Sequence, residues 1–201
     1  PDREKLPADP SFLEAQKSYL FGNTKLAVDL YNKFIKNNPG SPFLADAYYG
    51  LGLCYLTDKN TSAAEDCLKK AISMKNPPEI IALSSYTLAN IYMEKLLFDK
   101  AVIYYQLSIK DNPINVNCED VLFNMGICEL RQGLWNEGRN VLKTLVDKYP
   151  LSPYSYSAKE KLAYNETYFF VQTGVFDQLS NAQELLKKLQ AKGFSAYMKQ
   201  V

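Results

Sequence analysis

Residues 48–71 read YYGLGLCYLTDKNTSAAEDCLKKA. Two short amphipathic helical patterns lie back to back here, parted by a turn-forming break at 58–61. Gly52 and Ala64, twelve residues apart, fall where the two helices would have to touch. The same small-residue pair returns as Ala15/Ala27, Ala89/Ala101 and Gly126/Gly138, and the first members step by 37 each time. Small side chains let antiparallel helices approach closely, so four in-phase copies specify an array of helical hairpins. One hairpin cannot bury both of its apolar faces. Stability must therefore come from stacking three or more copies.

Working outward, residues 1–8 are rich in Pro and charge and read as a linker, and Asp9 or Ser11 can cap the first helix. Gly22-Asn23 breaks the first hairpin and Gly133 the fourth. Pro39, Pro113 and Pro150 stop the second helix of their repeats, and in repeat two Asn76 takes that place with Pro77 and Pro78 following. Tyr31, Leu68, Tyr105 and Leu142 are the large residues expected to fill the space between neighbouring hairpins. A closing helix is expected over 154–165, with Lys159, Glu160 and Lys161 as its polar outer face. The array thus runs over 9–165. The pattern then changes: 168–176 is aromatic and strand-like, 180–192 is helical, and 194–201 is again strand-like, so 166–201 reads as a β-α-β unit.

Composition narrows the function. With 23 Lys+Arg against 22 Asp+Glu, the net charge of +1 argues against a nucleic-acid footprint or a polybasic membrane contact. No apolar run approaches the ~18–20 residues of a spanning helix. The absence of His excludes His-based triads and His-containing zinc sites. Cys118 and Cys128 on one helix would stand ~15 Å apart. Cys54 and Cys67 are offset by ~7 Å along a hairpin whose helices are ~8–10 Å apart, beyond disulfide reach. Four thiols are expected, with no metal, cofactor or catalytic residues. No phosphate-binding, dinucleotide or nucleophile-elbow motif is present.

The small-residue pairs, the hairpin breaks and the terminal prolines resemble the tetratricopeptide repeat over about 9–150, although the period is 37 instead of the family's usual 34. That resemblance implies a mainly α fold, a right-handed superhelical stack of four hairpins with a capping helix, and protein binding on the concave side. The phrases NNPGSPF (37–43) and KYPLSPY (148–154) look like those of bacterial envelope members of the family. The segment YFFVQTGVF, 168–176, followed by NAQELLKKLQAKGF, 181–194, is similar to the first half of a SPOR domain, a peptidoglycan-binding module. By that resemblance Gln172 stands where glycan-binding members use a Gln, while an ordinary strand hydrogen bond remains the alternative.

Groove residues follow from register. Three residues before each first small position lie Phe12, Tyr49, Tyr86 and Phe123. One residue after it come Gln16, Leu53, Asn90 and Ile127, and four after it Tyr19 and Met93, with Leu56 and Leu130 in the other two repeats. These aromatics either form an uncharged groove for an apolar or extended segment, with Gln16 and Asn90 bonding its backbone, or pack within the array. Family members that clamp a chaperone's terminal carboxylate use Lys/Arg and Asn where this chain has Phe12, Gly50, Leu83 and Thr87, so that role is not expected. The expected function is a non-enzymatic interaction scaffold of the bacterial periplasm or outer-membrane periphery. Its partner would be another protein, and 168–201 would dimerise, dock to a partner's sheet or bind peptidoglycan. A peptidoglycan-binding division protein and a cytosolic assembly chaperone are the other classes.

Overall fold

The computed structural model describes residues 9–74, 77–110, 116–163 and 178–192. The chain divides into two compact units, Pro1–Tyr164 and Asn165–Val201.

The first unit holds nine described helices. Hairpin one is α1 (Pro10–Leu20) with α2 (Thr24–Asn37), and hairpin two is α3 (Leu44–Thr57) with α4 (Thr61–Ser73). Hairpin three is α5 (Pro78–Glu94) with α6 (Phe98–Ser108), hairpin four is α7 (Cys118–Arg131) with α8 (Trp135–Lys148), and α9 (Pro153–Ala163) follows. Each helix packs on the next in sequence. First helices also meet across hairpins, α1 with α3, α3 with α5 and α7 with α9, whereas among the described residues no two second helices share a comparable contact. The first helices are therefore the inner row of the stack.

The small pairs sit where close approach requires them. Ala15, Ala27, Ala64, Ala89 and Ala101 have no exposed surface, and Gly52, Gly126 and Gly138 are buried. A Cβ added at Gly126 would lie 3.2 Å from the Gly138 carbonyl oxygen, and one at Gly138 would lie 2.9 Å from that of Gly126. Tyr31, Leu68, Tyr105 and Leu142 are all buried between hairpins. Gly50 has a separate purpose: a Cβ there would come within 2.5 Å of the Tyr31 ring, so its bare backbone is the notch that receives that phenol.

The four hairpin turns are one device repeated. Gly22, Lys59, Leu96 and Gly133, again 37 apart, all have φ between 58° and 78°. Each sits in a Schellman arrangement, for example Gly22 N–H to Tyr19 O at 2.9 Å and Asn23 N–H to Ser18 O at 2.8 Å, or Leu96 N–H to Met93 O at 3.0 Å and Leu97 N–H to Tyr92 O at 2.9 Å. Asp9 is the first cap, accepting from Ser11 N–H at 2.8 Å, and Asn60 and Asn117 cap α4 and α7 in the same way.

Helix α9 closes the stack against α8 and α7. Ala158 and Ser155 are buried, Ser155 O–H donates to Tyr149 O at 2.6 Å, and Lys159, Glu160 and Lys161 face outward. Cys54, Cys67, Cys118 and Cys128 form no disulfide.

Of the C-terminal unit, α10 (Leu179–Ala191) is described and matches the helix expected over 180–192. The two strands expected at 168–176 and 194–201 lie outside the described residues, as does Gln172. Among the described residues there is no strand. The fold is mainly α.

Candidate functional site: the inner row of helices

Helices α1, α3, α5 and α7 place nine of the ten register residues on part-exposed surface. Gln16 is exposed, and Tyr19, Tyr49, Leu53, Tyr86, Asn90, Met93, Phe123 and Ile127 are half-buried. The tenth, Phe12, is 3% exposed. Its ring stacks on Phe43 at 5.5 Å and meets Phe34 at 5.5 Å and Tyr31 at 6.2 Å. Phe12 is core, because the α2–α3 connection folds Phe43 over it, and it has no surface to offer a ligand.

Polar groups on this row are organised around hairpins three and four. Tyr86 O–H donates to Asp120 Oδ2 at 2.6 Å, linking α5 to α7, and Asn124 Nδ2–H donates to Asp120 Oδ1 at 3.0 Å. The Tyr154 phenol also lies against Asp120, whose charge is the first reason that phenol's pKa is raised. Burial, and then the same carboxylate, raise Tyr86. Tyr105, fully buried behind the row, donates to Asn90 Oδ1 at 2.6 Å and touches Met93 Sδ at 3.4 Å. Asn90 also lies near the Tyr86 phenol and offsets part of the rise in its pKa, so its amide is engaged from within the array. Burial raises the pKa of the Tyr49 phenol, and nearby Thr87, one hairpin on, offsets part of that rise.

Asp120, Asn124, Thr87, Tyr105 and Tyr154 are the members that register reasoning missed. A signal existed: Asp46 and Asp120 both stand six residues before a first small position. The outer face is built differently. Tyr92 stacks on Tyr104 at 5.5 Å between the ammonium groups of Lys69 and Lys100, 5.8 and 5.6 Å from its ring centre. Glu65 beside them pairs with Lys69 at 3.4 Å and with Lys95; burial alone would raise its carboxyl, but the two ammonium groups together hold it below the usual range. In repeat four Glu129 takes the place of Tyr92. It is 6% exposed, Oε2 has no hydrogen-bond partner, and burial followed by the Glu137 charge pushes its pKa up.

Two open hollows, of about 380 and 640 Å³, lie at 149–153 with Glu119 and at 22–26 with Asp58. Among the described residues no group of three or more Cys, Asp and Glu could hold a metal ion, and no helix is long and apolar enough to cross a membrane.

Stacked hairpins with an inner row of part-exposed side chains define an α-solenoid of the kind that presents a surface to other macromolecules. Family models of the tetratricopeptide repeat match residues 45–77, 12–41 and 120–152, and the SPOR domain model matches 165–201. The chain carries tetratricopeptide repeats and, over 165–201, a SPOR domain segment. The third hairpin, which those repeat matches omit, has the same helices, small pair and turn as the others.

Similar solved structures are of the same kind. YrrB, described as a TPR protein with an unusual peptide-binding site, is 21% identical, with a TM-score of 0.63 over 94% of this chain and 93% of its own. MamA from AMB-1 is 16% identical, with a TM-score of 0.58 over 76% of this chain and 81% of its own. A tetratricopeptide-repeat protein from Parabacteroides merdae is 18% identical, with a TM-score of 0.63 over 77% of this chain and 59% of its own. At these identities the likeness is one of fold. No curated protein sequence matches the chain.

Proposed function

We propose that this protein is a non-catalytic scaffold of the bacterial cell envelope, holding an extended segment of a partner protein along the inner faces of α1, α3, α5 and α7. The observation that carries the reading is the row Tyr19, Tyr49, Leu53, Tyr86, Met93, Phe123 and Ile127. These residues are apolar or aromatic, part-exposed, and shared by consecutive hairpins. A solvated face of a soluble helix would carry charge there. The similar fold of YrrB, described as peptide-binding, makes a peptide the natural first ligand to test.

The experiment is to pan a random twelve-residue phage library on the full chain and measure the selected peptides by calorimetry. Leu53→Asp and Met93→Asp should each weaken binding about tenfold or more, while Lys143→Asp on outer helix α8 should leave it unchanged. Equal loss in all three, or none in any, overturns the groove reading.

The SPOR match to 165–201 supports a second attachment, to peptidoglycan, and is also the support for the envelope location. Sedimentation of the full chain with purified peptidoglycan tests it, with Gln172→Ala expected to reduce the pelleted fraction. Light scattering at micromolar concentration tests whether 168–201 makes a dimer.

A further inference from the structure

The near-zero net charge hides a segregation. Helices α1, α3, α5 and α7 carry seven acidic residues against two basic ones, whereas α2, α4, α6 and α8 carry nine basic against six acidic. The inner helices are thus net −5 and the outer ones net +3. Of the inner acids, Asp120 sits among the groove residues themselves, bonded to Tyr86 at 2.6 Å.

Among the described residues its hydrogen-bond partners are neutral donors, the Tyr86 phenol and the Asn124 amide, and the Tyr154 phenol lies beside it. Among the described residues no cation pairs with it. The inner helices' two basic residues are distant along the chain: Lys17 lies three hairpins away, and Arg131, eleven residues along α7, is ~16 Å up the axis. Two neutral donors aim the carboxylate without pairing its charge, and the Tyr86 and Tyr154 rings stand at its side. An anion flanked by ring faces suits an ammonium or guanidinium group, which gains both charge pairing and cation–π contact. Aligned inner helices with excess acid add a field of the same sign.

We propose that the segment held on the inner row bears a Lys or Arg side chain that docks on Asp120 between Tyr86 and Tyr154, while its apolar residues lie toward Leu53 and Met93. This rests on the groove reading above and adds the partner's charge to it. It is opposite in sign to the capture of a terminal carboxylate.

The test uses the same twelve-residue library, panned in parallel on the full chain and on its Asp120→Asn, Asp120→Lys and Glu119→Gln variants, each first checked for native circular dichroism. The wild type should select a pool at least threefold enriched in Lys and Arg. That enrichment should vanish on Asp120→Asn, turn toward Asp and Glu on Asp120→Lys, and persist on Glu119→Gln. Wild-type affinity for one selected Lys peptide should exceed that for its Lys→Gln analogue about tenfold, and the gap should narrow as salt rises. A groove-bound pool with no basic enrichment, or enrichment unchanged on Asp120→Asn, overturns the charge assignment and leaves the groove reading standing. Failure to select any groove-dependent peptide overturns both.

Discussion

Hairpin four has glycine at both of its small positions, Gly126 and Gly138, and that makes it the place to test whether small residues set helix spacing. An alanine at Gly138 would put Cβ 2.8 Å from Leu130 Cγ and 2.9 Å from the Gly126 carbonyl oxygen. At Gly52 the same change meets Leu68 at 3.2 Å and the Ala64 carbonyl oxygen at 3.6 Å. Replacing Gly by Ala inside a helix gains ~0.8–1 kcal/mol of propensity. Overpacking costs ~1–3 kcal/mol. At Gly52 the obstacle is a side chain that can give by a few tenths of an ångström, so the two effects about cancel. At Gly138 one obstacle is backbone, which yields only if the helices separate. The cost then lies in the upper half of the range, and Gly138→Ala should lose about 1–2 kcal/mol net, or roughly 2–8 °C in Tm. Urea unfolding followed by far-ultraviolet circular dichroism and by fluorescence measures this. Trp135, the chain's single tryptophan and the first residue of α8, reports on hairpin four directly. Because stability in a stacked array is largely local, the fluorescence transition should move further than the global one. Gly138→Ala at wild-type stability, or Gly52→Ala as costly as Gly138→Ala, would refute the spacing argument.

Three further outcomes follow from particular residues. Leu96 occupies a left-handed turn position at φ 59°, which costs a non-glycine residue ~1–2 kcal/mol, so Leu96→Gly should stabilise hairpin three by about 0.5–1 kcal/mol after the entropy of glycine is counted. Gly22→Ala, at φ 78°, should do the reverse, and thermal melts of the pair check both. Glu129 holds its proton more tightly in the folded chain than in the unfolded one, first because it is buried and then because Glu137 faces it. Its contribution is therefore most favourable below the usual 4.5 and is lost as pH rises through the raised folded value. Glu129→Gln should flatten that decline and melt about 2–4 °C higher at pH 7, in a Tm series from pH 4 to 8. Burial pushes the thiols of Cys54, Cys67 and Cys128 up to about 11, so at pH 8 a disulfide reagent should leave all three unmodified until the chain unfolds. Fast reaction of these three thiols in the native protein would contradict the packing of hairpins two and four.

What could be read without coordinates was whatever recurs along the chain. The Gly/Ala pairs, their step of 37 and the large residues at 31, 68, 105 and 142 all depend on helix periodicity, a property of neighbouring residues, and all are buried between helices as that periodicity requires. The turns at Gly22 and Gly133 were legible because glycine announces a left-handed backbone. The break at 58–61 was also legible from its turn-forming residues, but neither Lys59 nor Leu96 marks the left-handed position by its side chain, and only the backbone reveals it there. Register alone placed Phe12 with Tyr49, Tyr86 and Phe123, yet Phe43 covers Phe12 and leaves the other three part-exposed. It also offered Asn90 to a ligand, whereas the Tyr105 hydroxyl behind the row takes its carbonyl oxygen. The Tyr86–Asp120 bond spans 34 residues and exists because hairpin three stacks on hairpin four at one particular offset. Spacing along a chain determines which residues share a helix face. How successive hairpins slide against each other determines which hydroxyl meets which carboxylate, and that offset depends on contacts between residues of different hairpins, which no local pattern encodes.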